Sequence, residues 1–199
     1  MSRLAPLSYG ELPPSVRERI DKAEELLGFR PNDALIMARH PALMDAVGAL
    51  VGALYGAGAV DPALKRLIGE ATSKAAGCFY CSAHAAKGAK TLGVDAARIE
   101  AVWNFEDSDL FTDAERAAIR VAMKSGMSPN ETTDEDFAEL KRHFSDDEIV
   151  EIVGVIAMFG FLNRWNSTLQ TELEPAPCGA IAAMGLGHDA GPANLKEDK

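Results

Sequence analysis

The chain has 199 residues, of which 30 are acidic and 20 are basic, and its formal net charge is −10 at pH 7. A chain of this length can bury a sizeable core without a disulfide or metal staple. Its negative charge disfavours nucleic acids and anionic membranes as partners. No apolar run is long enough to span a bilayer, and the N-terminal residues lack a signal-peptide pattern. We therefore expect a soluble cytoplasmic protein without a membrane partner.

Signals for helix starts recur along the first half of the chain, whereas strand signals are almost absent. The first predicted helix begins at Pro14 or Ser15 and ends at Gly28. Pro41 begins an apolar helical segment that ends in glycines. Asp61 is a favourable capping residue, because a proline follows it at the first helical position.

Helical signals continue in the second half. The segment that contains two cysteines is predicted to run to Leu92, where the next residue is a glycine. Thr112-Asp-Ala-Glu115 and Ser145-Asp-Asp-Glu148 match the capping-box pattern, so two more helices begin there. Apolar residues between 149 and 169 do not alternate, which predicts a long helix buried on more than one side. Between the helices that begin at Thr112 and Ser145, residues 127–143 predict a short solvated helix.

Together these signals predict an all-α multi-helix bundle with one domain over residues 1–174 and its core at about 41–173. Residues 175–199 are rich in Gly, Pro and Ala and predict an extended or partly disordered C-terminal arm that packs on the domain or on a neighbouring subunit. The segments that start at Leu67 and Ile152 share an apolar pair followed by glycine. This similarity raises the alternative of a weak internal helical repeat.

The motif Gly-Cys-Phe-Tyr-Cys-Ser-Ala-His at residues 77–84 contains two of the three cysteines. Residues three apart share a helix face, so Cys78, Cys81 and His84 form a row. If Gly77 breaks the chain, a helix N-terminus near Cys78 lowers the pKa of a thiol there. A histidine can accept a thiol proton and a carboxylate can orient the histidine. Glu70 is the candidate carboxylate.

Redox chemistry, metal binding and simple packing are three alternatives for this motif. Zinc would need a further ligand, and the remaining candidates are distant in sequence: His40, His143, His188 and Cys178. A c-type haem site requires a histidine directly after the second cysteine, and a thioredoxin motif requires a βαβ context. Redox or peroxide chemistry is favoured, and we predict neither a metal nor another cofactor.

Four segments resemble the alkylhydroperoxidase D-like branch of the carboxymuconolactone decarboxylase superfamily: A-A-G-C-F-Y-C-S-A-H, F-T-D-A-E-R-A-A-I-R-V-A, F-S-D-D-E-I-V-E-I-V and F-G-F-L-N-R-W-N. The resemblance extends from about Pro41 to Leu173. It implies a helical fold, a homo-oligomer and a thiol peroxidase activity that needs no metal or haem. An external dithiol or protein reductant would regenerate the enzyme.

By the same resemblance, Cys81 attacks the peroxide, Cys78 resolves the sulfenic acid as a disulfide, and His84 is the proton relay. The helix dipole favours a thiolate at Cys78, whereas His84 favours Cys81; we follow His84 and expect Cys81 to attack, because O–O cleavage needs a base within hydrogen-bond reach. Two departures affect the relay. The family usually has its histidine one residue later, where this chain has alanine, and its glutamate further upstream, where this chain has Arg66. Glu70 is predicted either to replace that glutamate or to be only a buried ion-pair partner.

The leading functional hypothesis is a peroxidase, or thiol–disulfide oxidoreductase, that acts on hydroperoxides through Cys78 and Cys81. A lyase of the carboxymuconolactone decarboxylase type is one alternative, although the paired cysteines disfavour it. A non-enzymatic, redox-sensing helical oligomer is another. Asn163, Arg164 and Asn166 are polar residues on the long apolar helix that could close the active site, and Tyr80 could donate a hydrogen bond to a peroxide.

Overall fold

The computed structural model describes residues 1–186, which form ten α-helices and two short 3-10 helices, with no strand among them. The α-helices are α1 (Pro14–Leu27), α2 (Asn32–Met37), α3 (Pro41–Tyr55), α4 (Pro62–Ala75), α5 (Phe79–Thr91), α6 (Ala96–Ala101), α7 (Asp113–Gly126), α8 (Asp134–His143), α9 (Asp146–Leu169) and α10 (Pro175–Ala183). The 3-10 helices are Tyr9–Glu11 and Val102–Asp107. The predicted all-α class is confirmed.

Several predicted helix ends are confirmed by their capping interactions. The side chains of Asp61, Thr112 and Ser145 each accept a hydrogen bond from the backbone N–H three residues further on, at the starts of α4, α7 and α9. These bonds satisfy N–H groups that have no partner within the helix. Gly28 ends α1 with a φ of 79°, which glycine adopts without the steric cost of a Cβ.

The main core lies among α4, α5, α7 and α9. Leu67, Ile68 and Ala71 of α4 are almost completely buried, and Ile152 of α9 is fully buried. Gly69 allows the close approach of α4 and α9, because a Cβ there would overlap the ring of Phe159. The cysteine pair lies directly after α4, at the start of α5.

A second apolar cluster joins α1, α2 and α3 to α9. Its buried members are Leu12, Val16, Ile20, Leu35, Met37, Ala38 and Met44. Leu162 of α9 packs against both this cluster and the main core. The sequence did not predict α2, because its six residues are too few to show a helical period.

The expectation of an extended C-terminal arm is wrong for residues 175–183, which form α10. Pro175 occupies the first turn, where its missing N–H costs no hydrogen bond, and alanines follow it. Pro177 and Ile181 are buried, and the helix packs against α5. Residues 187–199, with His188, lie outside the described part of the chain. No helix within residues 1–186 is long and apolar enough to cross a membrane.

Candidate functional site

The cysteine pair lies where the chain reverses between α4 and α5. Gly77 has a φ of 66°, and Cys78 is the N-cap residue of α5. The Cys78 N–H donates to the carbonyl of Ser73 at 2.9 Å. Cys81 lies in the first turn of α5, and each cysteine is only 3% exposed. The helix break that the glycine predicted is therefore present, and it puts Cys78 at the positive end of the α5 dipole.

The two thiols are inequivalent. The hydrogen bond from Cys81 lowers the pKa of Cys78 to about 7 despite burial, and the backbone N–H of Cys81 and the hydroxyl of Ser167 contribute. Burial raises the pKa of Cys81, and the neighbouring Cys78 adds to this increase. Asn166 Nδ2 donates to Cys81 Sγ at 3.3 Å. At neutral pH the thiolate is consequently favoured on Cys78.

A cavity of about 290 Å³ adjoins the start of α5. Its lining consists of residues 77–80, Asn166, Ser167 and residues 170–173. Cys78 is one of the lining residues, whereas Cys81 is not among them. A small molecule in this cavity would thus meet the thiol with the lower pKa.

His84 is fixed in position by two aromatic rings and a carboxylate. Its ring stacks on Tyr80 with a centroid separation of 4.3 Å and meets the ring of Phe29 edge-on at 5.3 Å. Its Nε2 lies 2.8 Å from Glu174 Oε2. The other carboxylate oxygen, Oε1, accepts hydrogen bonds from the Tyr80 hydroxyl at 2.7 Å and from the Asn32 N–H.

The environment of Glu174 favours its charged form. Burial raises the pKa of this carboxyl, but the hydrogen bond and charge of His84, with the donors on Asn32 and Tyr80, outweigh burial and lower it below its usual value. Asp33 of α2 lies next to the same group of residues. Its N–H donates to the Tyr80 hydroxyl at 3.3 Å, and its Oδ2 lies 3.5 Å from Asn166 Nδ2. Burial raises the pKa of Asp33, and the charge of His84 opposes this shift.

Glu70 lies in a different environment from the His84 carboxylate. It is 1% exposed, accepts a hydrogen bond from Ser82 Oγ at 2.9 Å, and has Lys74 Nζ at 3.6 Å. Burial raises its pKa to about 7, although Lys74 and Ser82 oppose the increase. It lines a separate cavity of about 190 Å³, with Lys74, Ser82 and Glu100. The carboxylate that contacts His84 is Glu174, and a relay role for Glu70 stays a prediction.

Sequence reasoning missed three residues of this site: Asn32, Asp33 and Glu174. The first two lie on the short α2, and Glu174 lies 90 residues after His84, so no helical spacing connects them. Two of the polar residues predicted on the long helix have different contacts. Asn166 contacts Cys81, whereas Asn163 Nδ2 lies 3.5 Å from the Thr72 carbonyl.

Two other predicted features concern metals and the third cysteine. In the part of the chain that the structure describes, no group of three or more His, Cys, Asp or Glu side chains could hold a metal ion. Cys178 is exposed on α10 and carries a free thiol.

Comparison with known proteins identifies relatives. The model of the carboxymuconolactone decarboxylase family matches residues 41–124. The crystal structure of the debrominase Bmp8 is 34% identical, covers 91% of this chain and 97% of its own, and has a TM-score of 0.84. A cysteine-to-alanine variant of that debrominase, in complex with 2,3,4-tribromopyrrole, is 33% identical, covers 91% of this chain and 96% of its own, and also has a TM-score of 0.84.

A further similar structure is an uncharacterised peroxidase-related protein with an alkylhydroperoxidase core from Ralstonia eutropha. It is 26% identical, covers 88% of this chain and 94% of its own, and has a TM-score of 0.78. A search of the curated proteins finds no match.

Proposed function

The chain belongs to the carboxymuconolactone decarboxylase family, in its alkylhydroperoxidase D-like branch, and on this basis we propose that it is a cysteine-based oxidoreductase that reduces hydroperoxides. Cys78 and Cys81 are the redox pair, and His84 is the proton relay. The observation that carries the proposal is the pair of inequivalent thiols at the start of α5. The thiol with the lower pKa lines a cavity, and its partner lies one helical turn away.

Cys78 is the attacking thiol in this proposal. Its thiolate attacks the terminal oxygen of a hydroperoxide, ROOH, and the O–O bond breaks. Cys78 becomes a sulfenic acid, while the alkoxide takes up a proton and leaves as the alcohol ROH. The low pKa and the cavity favour this order over the reverse order that the family resemblance implies, in which Cys81 attacks first.

Cys81 completes the reaction. Its thiol attacks the sulfur of the sulfenic acid, and the hydroxide leaves with the Cys81 proton as water, so that a Cys78–Cys81 disulfide forms. Because burial raises the pKa of Cys81, this step needs a base, and His84 lies one turn further along α5. An external dithiol then reduces the disulfide and is itself oxidised.

Reductive dehalogenation is a second candidate, favoured by the similarity to a debrominase over 91% of the chain. The Cys78 thiolate would attack the bromine of an aromatic bromide, ArBr, and the ring carbon would take a proton to give ArH. Cys81 would then displace bromide from Cys78 and form the same disulfide. The cavity is at the small end of the ligand-pocket range and has the side chains of Phe79 and Leu173 in its lining, which suits a small ring.

The proposal also includes a location and partners. A reducing compartment such as the cytoplasm supplies the dithiol donor and keeps the pair reduced at rest. Exposed apolar side chains on α3 and α9, among them Leu50, Val150 and Phe161, support assembly into a homo-oligomer.

The first prediction concerns the cysteines. After one equivalent of an organic hydroperoxide, the wild type should lose the free thiols of Cys78 and Cys81 and form alcohol. Cys81→Ser should stop at a sulfenic acid on Cys78, which dimedone traps and peptide mass spectrometry locates. Cys78→Ser should consume almost no peroxide, and Cys178→Ser should behave as the wild type.

The outcomes separate the alternatives. A sulfenic acid on Cys81 in the Cys78→Ser variant would reverse the order of attack. Bromide release from a bromopyrrole, with both thiols intact after peroxide, would favour dehalogenation. If neither compound removes thiols, the proposed function is wrong.

A further inference from the structure

We propose that Glu174 is the residue that positions His84 as a base, a role that the sequence had suggested for Glu70. This inference rests on the proposed function, because it concerns the same cysteine pair. Glu174 lies in the segment between α9 and α10, after His84 in the sequence. The glutamate that the family resemblance implies would lie before the cysteine pair. It acts through His84 and does not touch the thiols, so it is a positioning residue.

The hydrogen bonds of Glu174 determine which nitrogen of His84 is the base. An ionised carboxylate can only accept hydrogen bonds. Because its pKa is lowered, Glu174 is ionised at neutral pH, and His84 Nε2 must then carry the hydrogen that lies between them. In the neutral ring this leaves Nδ1 as the acceptor. Tyr80 and Phe29 hold the ring plane, so its orientation and its tautomer are both fixed.

A base in this arrangement is most useful to Cys81. Cys78 already favours its thiolate near neutral pH, whereas burial raises the pKa of Cys81. When Cys81 attacks the oxidised Cys78, its proton passes to His84 and the ring becomes positively charged. Glu174 stabilises that charge at hydrogen-bond distance, which is the logic of a nucleophile, a base and an orienting carboxylate.

Other charged groups near His84 do not replace Glu174. Asp33 interacts with His84 through its charge, but its hydrogen bonds go to Tyr80, Ala34 and Asn166. Lys87, one turn further along α5, extends to the ring of Phe29 and the Leu27 carbonyl. Glu70 is bound to Ser82 and Lys74.

The backbone around Glu174 is tied to the site at two more points. Asn32 Nδ2 donates to the Glu172 carbonyl at 2.8 Å, and the Asn32 N–H donates to Glu174 Oε1. The carboxylate is therefore held by α2 and α5 together. A glutamine at this position offers one acceptor oxygen to three donors, so the variant should disturb the ring hydrogen bond while the backbone contact from Asn32 to residue 172 stays.

The second prediction uses a reaction that does not need peroxide. In a Cys178→Ser background, dithiobis(nitrobenzoate) reacts with Cys78 and releases one nitrothiobenzoate. Cys81 then attacks the mixed disulfide and releases a second. General bases contribute about a hundredfold or more to proton-transfer steps, so Glu174→Gln should slow the second release about tenfold or more and leave the first nearly unchanged.

Nitrogen NMR of the His84 ring supplies a second measurement. If Glu174 only stabilised the fold, its replacement would leave the hydrogen on the same ring nitrogen, and the spectrum would not change. The wild type should show a protonated Nε2 with a slowly exchanging hydrogen, and Glu174→Gln should lose this signature. Glu172→Gln is the matched control, since it removes the same charge from an exposed side chain in the same segment. Glu70→Gln tests the alternative carboxylate. Glu172→Gln should keep the ring signature and the rate of the second release, and Glu70→Gln should keep the ring signature, because the Glu70 carboxylate contacts Ser82 and Lys74 and makes no hydrogen bond to His84.

An unchanged ring signature in Glu174→Gln would overturn the inference, as would a normal second release. Loss of the second release in Glu70→Gln alone would also overturn it and return the role to Glu70. Failure of the wild type to consume peroxide would contradict the proposed function only, because the disulfide-probe reaction and the NMR spectrum do not depend on the peroxide.

Discussion

Two buried glutamates near the cysteine pair have opposite pKa shifts. Glu174 receives three hydrogen bonds, and they outweigh the effect of burial. Glu70 accepts one hydrogen bond, from the Ser82 hydroxyl, and Lys74 Nζ is 3.6 Å away. Burial therefore dominates, and the pKa of Glu70 rises to about 7. Burial therefore does not determine the charge of a carboxyl group by itself. Hydrogen-bond donors and nearby charges act together with burial to set it.

The third prediction follows from the raised pKa of Glu70. Between the unfolded value of 4.5 and the folded value of about 7, the folded protein binds more protons than the unfolded chain. Its free energy of unfolding therefore falls as pH rises through this range, by about 1.4 kcal/mol for each pKa unit. Glu70→Gln has no titrating carboxyl at this position. Its free energy of unfolding should therefore rise relative to that of the wild type by up to about 3 kcal/mol between pH 5 and pH 8.

Urea unfolding across this pH range measures the effect. Glu174→Gln is the opposite control. The lowered pKa of Glu174 stabilises the fold at pH values above the pKa of the unfolded chain, and this stabilisation is lost only as the pH falls through the pKa of the folded protein. Parallel stability curves for the wild type and Glu70→Gln would contradict the prediction.

The sequence predicted part of the site, and the limit has a physical origin. Cys78, Cys81 and His84 lie on one helix, where a spacing of three residues makes them neighbours. Glu174 approaches His84 from a segment 90 residues further on, and that contact depends on how α9 and α10 return to α5. Such a contact leaves no periodic signal. The relative pKa of the two thiols depends on the hydrogen bond between them and on the burial of Cys81, with smaller contributions from Ser167 and Asn166, and spacing along one helix does not reveal these effects.

At the scale of the helices, local capping signals were reliable and tertiary contacts were not visible. The capping boxes that begin α7 and α9 were predicted and are confirmed. A third box, from Thr133 to Asp136 at the start of α8, was missed because aspartate replaces the usual glutamate. The similarity between the segments at Leu67 and Ile152 involves two glycines with separate packing partners, and the internal repeat stays a prediction.

The fourth prediction concerns the contact between α4 and α9. Gly69→Ala adds a Cβ that would overlap the ring of Phe159, and overpacking of this kind costs about 1–3 kcal/mol. Gly48→Ala in α3 is the matched control, because a Cβ there meets nothing within 4 Å and alanine favours a helix by about 0.5–1 kcal/mol. Denaturant unfolding should show opposite signs for the two variants.

A compensating change tests the cause. Phe159→Leu shortens the side chain that faces residue 69, so the combination of Phe159→Leu with Gly69→Ala should cost less than the sum of the two single changes. Additive costs would mean that Gly69 is required for another reason.

At the scale of the whole molecule, two apolar clusters are joined through α9. The sequence predicted a core over about residues 41–173, and it did not indicate that α1 and α2 build a second cluster on the same long helix. Leu162 packs against both clusters. A shared residue of this kind couples the two regions, so we expect the described part of the chain to unfold as one cooperative unit.

An ion pair between a buried lysine and a partly exposed glutamate joins three further regions of the molecule to α9. Lys65 of α4 is 2% exposed, donates to the Leu54 carbonyl at the end of α3, and lies 2.6 Å from Glu151 Oε2 of α9. The Glu151 carboxylate also accepts hydrogen bonds from the N–H groups of Ala59 and Val60 in the α3–α4 connection. The hydrogen bond from Lys65 lowers the pKa of Glu151 in company with these donors, and burial opposes the shift.

The fifth prediction is therefore a large, global effect of a single lysine. Lys65→Met removes the buried ammonium donor of the Leu54 carbonyl and the ion-pair partner of Glu151, whose side chain is 24% exposed, and this should cost about 1–3 kcal/mol. Lys22→Met is the matched control, because its pair with Glu18 is exposed to solvent and contributes little to stability. Both variants change one lysine to a side chain of similar length.

Two probes should show that the effect reaches the whole molecule. In a Trp103→Phe background, fluorescence reports on Trp165, which packs against the second cluster, while circular dichroism reports on all helices. Both probes should give one coincident transition, shifted to lower urea concentration by Lys65→Met. The ion pair lies at the main core, whereas Trp165 lies at the second cluster. A transition that shifts in circular dichroism but not in fluorescence would therefore mean that the two clusters unfold independently and that α9 does not couple them.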